Sequence, residues 1–269
     1  MNVFEITRGN SPVILGFPHT GTYVPDAIGR TLNARGALLV DTDWHVHELY
    51  TDLLPGASSV RALFHRYVID ANRDPADVSL YPGQNTTGLV PGTDFDGQSI
   101  WMDGALPDEA DTARRLAQYH APYHGALAAE IARVKAAHGV AIVFDCHSIR
   151  SHIPFLFDGK LPDFSIGTVG GTSCAPEIEA AAVNVAAGAS GYSSVLNGRF
   201  KGGWTTRHYG RPHEGVHAIQ LELAQDTHLS TEAPPFDLDR AKADRLRPHL
   251  ARMLEGIQAL APSLAKGTP

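Results

Sequence analysis

Four short apolar runs, Val13 to Phe17, Arg66 to Asp70, Val140 to Phe144 and Ala218 to Leu223, alternate along this chain with segments patterned as helices. Runs of this length and make-up predict strands. The helical segments are marked by spacing. Val46, Leu49, Tyr50 and Leu53 form one stripe, and Leu116, Tyr123, Leu127, Ile131 and Val134 form another within a long helix from about Asp108 to His138. Ala175 to Ala187 is Ala-rich, and Leu246, Leu250, Met253, Leu254 and Ile257 mark an amphipathic helix near the C-terminus. Pro122 predicts a kink in the long helix, because proline removes a backbone donor and crowds the preceding turn. This alternation predicts an α/β fold with a mixed, mostly parallel sheet and helices on both faces. In such sheets ligands bind beyond the carboxyl ends of the strands.

At 269 residues, 43% hydrophobic and 19% charged, the chain can bury a substantial core and is not disordered. No repeat or long linker divides it, so a single domain over 1–269 is expected. The stretch 79–104 lacks apolar periodicity but carries Tyr81, Phe95 and Trp101, which predicts a packed lid loop. Acidic residues outnumber Lys and Arg, 29 to 22, and the net charge of −7 argues against nucleic acid and anionic membrane as main partners. No apolar run approaches the roughly 18 residues that span a bilayer. Two cysteines and an N-terminus, MNVFEITRGN, without a cationic start or long apolar core predict a cytoplasmic location.

Polar residues at the ends of these runs, or breaking into them, point to chemistry. Pro18-His19 comes after the first run, Asn72-Arg73 after the second and His147 after the third, while Glu222 lies within the fourth. The alternation brings two imidazoles, a guanidinium and a carboxylate to one sheet edge. His19 and His147 suit a metal pair, although either alone is equally a hydrogen-bonded strand-end histidine. Asp41, Asp43, His45 and His47 are rival third ligands, and Asp43 is equally placed to cap a helix. Glu222 interrupts an apolar strand, where a buried carboxylate suits proton transfer and an outward-facing one would be structural. Arg73 and Asn72 suit a substrate carboxylate, or Arg73 a salt bridge to Asp70 or Asp74. The Gly202 to Gly210 loop offers Arg207, and Arg150 and His152 flank His147 as weaker candidates. His120 and His124 are spaced like a metal pair but lack the His-Glu-x-x-His arrangement and read as a polar helix face. Cys146 reads as a small buried residue. No serine-hydrolase elbow, phosphate-binding loop, dinucleotide fingerprint or Cys-x-x-Cys pair is present, and metal-assisted hydrolysis remains.

Six segments together carry a resemblance: Phe17 to Pro25 (FPHTGTYVP), Asp41 to His45 (DTDWH), Val68 to Asp74 (VIDANRD), Asp145 to Ser148 (DCHS), Arg199 to Gly210 (RFKGGWTTRHYG) and Ala218 to Gln225 (AIQLELAQ). The chain resembles the N-formylglutamate amidohydrolase family of histidine degradation, which is similar in fold to zinc carboxypeptidases. The resemblance implies zinc (Zn2+) on His19, Asp43 and His147, although cobalt, iron or manganese also suit such a set. It implies Glu222 as general base to a metal-activated water, Asn72 and Arg73 on a substrate carboxylate, and Arg207 at the oxyanion. Trp204 and Arg150 complete the expected substrate site, whose ligand would be a small dicarboxylate. Asp43 lies 24 residues after His19, unlike the close spacing in carboxypeptidases. Rival readings are a deacylase of another N-acyl amino acid or small peptide, and a non-catalytic metal- or amino-acid-binding protein. Nothing in the sequence distinguishes a monomer from a homo-oligomer.

Overall fold

A computed structural model describes residues 2–266. Its seven strands are β1 (Phe4–Thr7), β2 (Val13–Phe17), β3 (Ser58–Ala62), β4 (Ala141–Ile149), β5 (Phe164–Gly167), β6 (Ser194–Leu196) and β7 (Val216–Ala224). They form one sheet in the order β1-β3-β2-β4-β7-β5-β6. The pairings β2–β3, β2–β4, β4–β7 and β5–β6 are parallel, whereas β1–β3 and β5–β7 are antiparallel. The mixed, mostly parallel α/β class predicted from the alternation is the class observed.

The helices are α1 (Asp26–Gly29), α2 (Val46–Leu49), α3 (Glu109–Arg115), α4 (Ala121–His138), α5 (Pro176–Ala187), α6 (Trp204–Tyr209) and α7 (Arg240–Lys266). Central strands covered on both faces need apolar residues at every position, and the two-residue period then decides which layer each one meets. Ile142, Phe144 and Cys146 of β4 join Ile219, Leu221 and Leu223 of β7 against α5 and α7, with Ile178, Leu250 and Leu254 among the contacts. The intervening Ala141, Val143 and Ala218 pack on Tyr123, Leu127 and Val134 of α4. Continued along the strands, that second parity places Asp145, His147, Gln220 and Glu222 on the α4 face, beyond the end of its apolar cover. A polar site at the carboxyl edge therefore arises from strand period and strand length.

Two expectations need correction. Arg66 to Asp70 is a buried turn, closed by the Val68 N–H on the His65 carbonyl at 2.9 Å. The Arg66–Asp70 ion pair, 2.5 Å across four residues, requires that turn, and the strand lies earlier at Ser58–Ala62. The long helix from about Asp108 to His138 is not one uninterrupted α-helix. A π-helical stretch, Leu116–His120, precedes Pro122, which falls in the first turn of α4, where its missing donor is tolerated. Among the described residues no helix is long and apolar enough to cross a membrane.

Candidate active site

His19 leaves the end of β2 and His147 lies near the end of β4, with ring centroids 5.0 Å apart. Each ring is anchored by Nε2 on a buried carboxylate: His19 on Asp70 at 2.7 Å and His147 on Asp145 at 3.1 Å. Their Nδ1 atoms converge on Asp43 Oδ2, at 3.8 Å from His19 and 3.2 Å from His147. Asp43 is fixed by its own N–H on the His19 carbonyl and by the Ser148 N–H on its Oδ2. It does not cap α2, whose preceding residue is His45 at φ 60°.

The rivals are engaged elsewhere. Asp41 accepts from the Tyr67 hydroxyl and the Phe95 N–H, and burial pushes its carboxyl up to about 7. His45 bonds Glu48 and the Phe236 carbonyl, and His47 lines a separate groove beside Tyr50.

The His19, Asp43 and His147 ligand atoms lie within 4.8 Å of one another, all three residues buried. The chemistry of this set fits a divalent cation. Arg66 Nη1, which can only donate, lies 3.3 Å from His19 Nδ1 and marks that nitrogen as the lone-pair atom. Burial, reinforced by Arg66, holds His19 below its usual range and so in the neutral form a ligand needs. Burial also opposes charge on His147, but Asp145 and Asp43 outweigh it and hold that imidazole well above its usual range. Carboxylates behind metal-binding imidazoles fix ring orientation and raise ligand basicity. Asp70→Asn and Asp145→Asn are each expected to weaken zinc affinity about 10- to 100-fold, read by competition with a chromogenic chelator.

Glu222 pairs in register with His147 across β4–β7, and its carboxylate is buried beside Gln220, whose Nε2 donates to Oε2 at 3.2 Å. Burial raises its pKa above the ordinary carboxylate range, and Asp43 adds to the rise while His147 opposes it. Since β7 is flanked by β4 and β5, Glu222 does not face outward on an edge.

These groups open onto a cavity of about 60 Å³. A water occupies roughly 10–15 Å³ on such a scale, so the space is that of a few waters. The cavity reaches Leu80, Tyr81, Asn85, Thr86, Thr87 and Phe95 of the 79–104 segment, which contains no helix or named strand. Asn72 Nδ2 lies 3.1 Å from His147 Nε2, while Asn72 Oδ1 accepts the Thr205 N–H at the start of α6. Gly203 is required there, because a Cβ would fall 2.2 Å from Asn72 Nδ2. Arg73 lines the cavity, its Nε donating to the Thr87 carbonyl.

Other expected residues stand apart. Arg207 donates to the Gly202 carbonyl and packs on Tyr81 outside the cavity lining. Trp204 stacks on His208, Arg150 pairs with Asp96, and His152 contacts Ser151, all outside it as well. Cys146 is buried as expected. Arg66 and Arg199 do line the cavity, although neither stands out as a site residue in the sequence. The one signal Arg199 offers there is its place at the start of the Arg199 to Gly210 segment.

His120 and His124 are buried and do not form an exposed polar face. Their Nε2 atoms donate to the Arg73 and Ala71 carbonyls at 3.0 and 2.7 Å, holding the segment that presents Asn72. His124→Ala leaves a buried carbonyl unpaired, at a cost of about 1–3 kcal/mol. Thermal unfolding should show a Tm lower by about 3–10 °C.

A His–Asp–His donor set, a buried glutamate and a confined cationic cavity at the carboxyl edge of a mixed sheet define a hydrolytic α/β enzyme. The profile of the N-formylglutamate amidohydrolase family matches residues 11–229. Two N-formylglutamate deformylases, from Pseudomonas aeruginosa and Pseudomonas putida, are 46% and 45% identical over 258 and 260 residues, with 96% of each chain covered. The chain belongs to the N-formylglutamate amidohydrolase family. Its fold is similar to the crystal structure of an N-formylglutamate amidohydrolase from Ralstonia eutropha JMP134, with TM-score 0.78, 24% identity and both chains fully covered. A gene product of Agrobacterium tumefaciens is also similar, with TM-score 0.74 and 19% identity over 97% of this chain and 96% of that one.

Proposed function

We propose that this protein hydrolyses N-formyl-L-glutamate to formate and L-glutamate as a cytoplasmic step of histidine degradation, with zinc or a related divalent cation. The observation that carries the reading is the juxtaposition of Glu222 with His147, across paired strands, beside a donor set and a cavity walled by arginines. Family membership supports the substrate.

A cation on His19, Asp43 and His147 would supply Lewis acidity, polarising a carbonyl and acidifying a water. Glu222 takes the proton of the attacking water and returns it to the amine nitrogen as the C–N bond breaks. Without that return the amine would have to leave as an anion. Asn72 and Arg73 hold the α-carboxylate, with the arginine tethered through Thr87. Arg66, in the cavity wall, is better placed than Arg207 to face the developing oxyanion. The 79–104 segment closes over the substrate and excludes bulk water.

The test is formate release by purified, metal-loaded protein. N-Formyl-L-glutamate should be cleaved, and N-acetyl-L-glutamate, one methyl larger, should be at least about tenfold poorer in kcat/KM. No formate release would reject the substrate, and faster cleavage of the acetyl compound would favour a broader N-acyl amino acid deacylase.

A further inference from the structure

Three guanidiniums line the cavity, and their electrostatic situations differ. Arg66 is neutralised by Asp70 at 2.5 Å. Arg73 has the same carboxylate at 3.9 Å, and its donors reach the Thr87 and Asn72 carbonyls and the Thr87 hydroxyl. Arg199 has no carboxylate within 4.0 Å among the described residues. Its Nε donates to the Leu156 carbonyl at 2.9 Å and its Nη2 to the Asn85 carbonyl at 2.7 Å. The Tyr81 and Phe200 rings pack against it at 5.2 and 5.3 Å. Among the described residues, both hydrogens of Nη1 and the second of Nη2 are left without a hydrogen-bond acceptor.

A half-buried cation held this way carries a desolvation cost that neutral carbonyls and rings offset only in part. An arriving carboxylate would complete the compensation, and the planar guanidinium offers it two donors. The partners that fix each arginine assign which carboxylate. Arg73 adjoins Asn72, which contacts His147 and so lies at the reacting end. Arg199 hydrogen-bonds Leu156 and Asn85 and, among the described residues, no group of the Asn72–His147 end, which leaves it free for the second carboxylate.

We propose that Arg199 determines specificity: it binds the side-chain carboxylate of the substrate and selects N-acyl derivatives of acidic amino acids over neutral isosteres, an assignment that rests on the hydrolytic reading above. Arg207, on the same Tyr81 ring at 5.4 Å, lies outside the cavity lining and donates to the Gly202 carbonyl.

The experiment compares N-formyl-L-glutamate with N-formyl-L-glutamine, equal in size but uncharged at the far end, on wild type, R199Q and R199K. R199Q should lower kcat/KM for the glutamate compound about 100-fold, chiefly through KM, and change the glutamine compound by less than about threefold. R199K keeps the charge but loses the fork and should fall between. Equal losses on both substrates would make Arg199 only a tether of the covering loops and overturn the proposal, as would no loss on either. Calorimetric binding of L-glutamate against L-glutamine separates this proposal from the reaction itself. A preference for L-glutamate in wild type that disappears in R199Q supports the role of Arg199 even if no formate is released, and no such preference in wild type overturns it. If R199Q does not fold, R199K decides on the same two comparisons.

Discussion

Replacing Glu222 with glutamine is expected to lower kcat by about 10³-fold or more, while zinc stoichiometry and the fold stay as in wild type. The two side chains are nearly isosteric, and the strand pairings that place position 222 beside His147 and Ser165 do not depend on its charge. What the proposed role would lose is the ability to take a proton from water and return it to the amine. A loss of that size is about 4 kcal/mol of transition-state stabilisation. Stability should move the other way, if at all. Burial opposes the charge on Glu222, as its raised pKa records, so a neutral amide in the same place removes a cost. Turnover, metal content and Tm measured on one preparation separate the roles. Retention of more than about a tenth of wild-type kcat would remove Glu222 from the base role, and loss of metal with loss of activity would make it a structural support of the donor set.

The strands that carry this chemistry were legible because they are buried on both faces. Val13–Phe17 and Ala141 to Phe144 of β4 are unbroken apolar runs, β7 is apolar apart from His217, Gln220 and Glu222, and the polar residues that break into these strands or come directly after them stand out. His19, His147 and Glu222 were readable for that reason. Asp43 was not separable from Asp41, His45 and His47 by sequence, since all four share one irregular segment. Only the packing of that segment against the ends of β2 and β4 turns Asp43 inward. Tyr67, Val68 and Ile69 misled because a buried turn is as apolar as a buried strand, and composition records burial without recording backbone direction. The opposite failure hid β3, whose Ser-Ser-Val-Arg-Ala sequence alternates but carries little apolar surface. Arg199 belongs to a segment that carries the resemblance, yet nothing in the sequence singled it out as a site residue, for a different reason. Its distinction is the lack of a neighbouring carboxylate, which is a property of space and not of the chain.

If His19, Asp43 and His147 hold a metal as proposed, removing it is expected to abolish formate release and also to lower the melting temperature, and the pairing of the two effects makes the test specific. His19, Asp43 and His147 come from three separate parts of the sheet edge, so a ligand that binds all three binds only the folded chain. At a free metal concentration about 1,000 times Kd, such linkage contributes about 4 kcal/mol, or about 10 °C in Tm for a chain of this size. In the stripped protein the same donors must satisfy one another, and the 3.2 Å approach of Asp43 to His147 shows that they can do so in part. The stripped protein should therefore stay folded at ambient temperature while inactive, and activity and Tm should return together with zinc or cobalt. Chelation that silences the enzyme without lowering Tm would point to a metal bound by the substrate and not by this set. Full activity after exhaustive chelation would reduce His19, Asp43 and His147 to a buried polar network and leave Glu222 and the arginines to carry the hydrolysis alone.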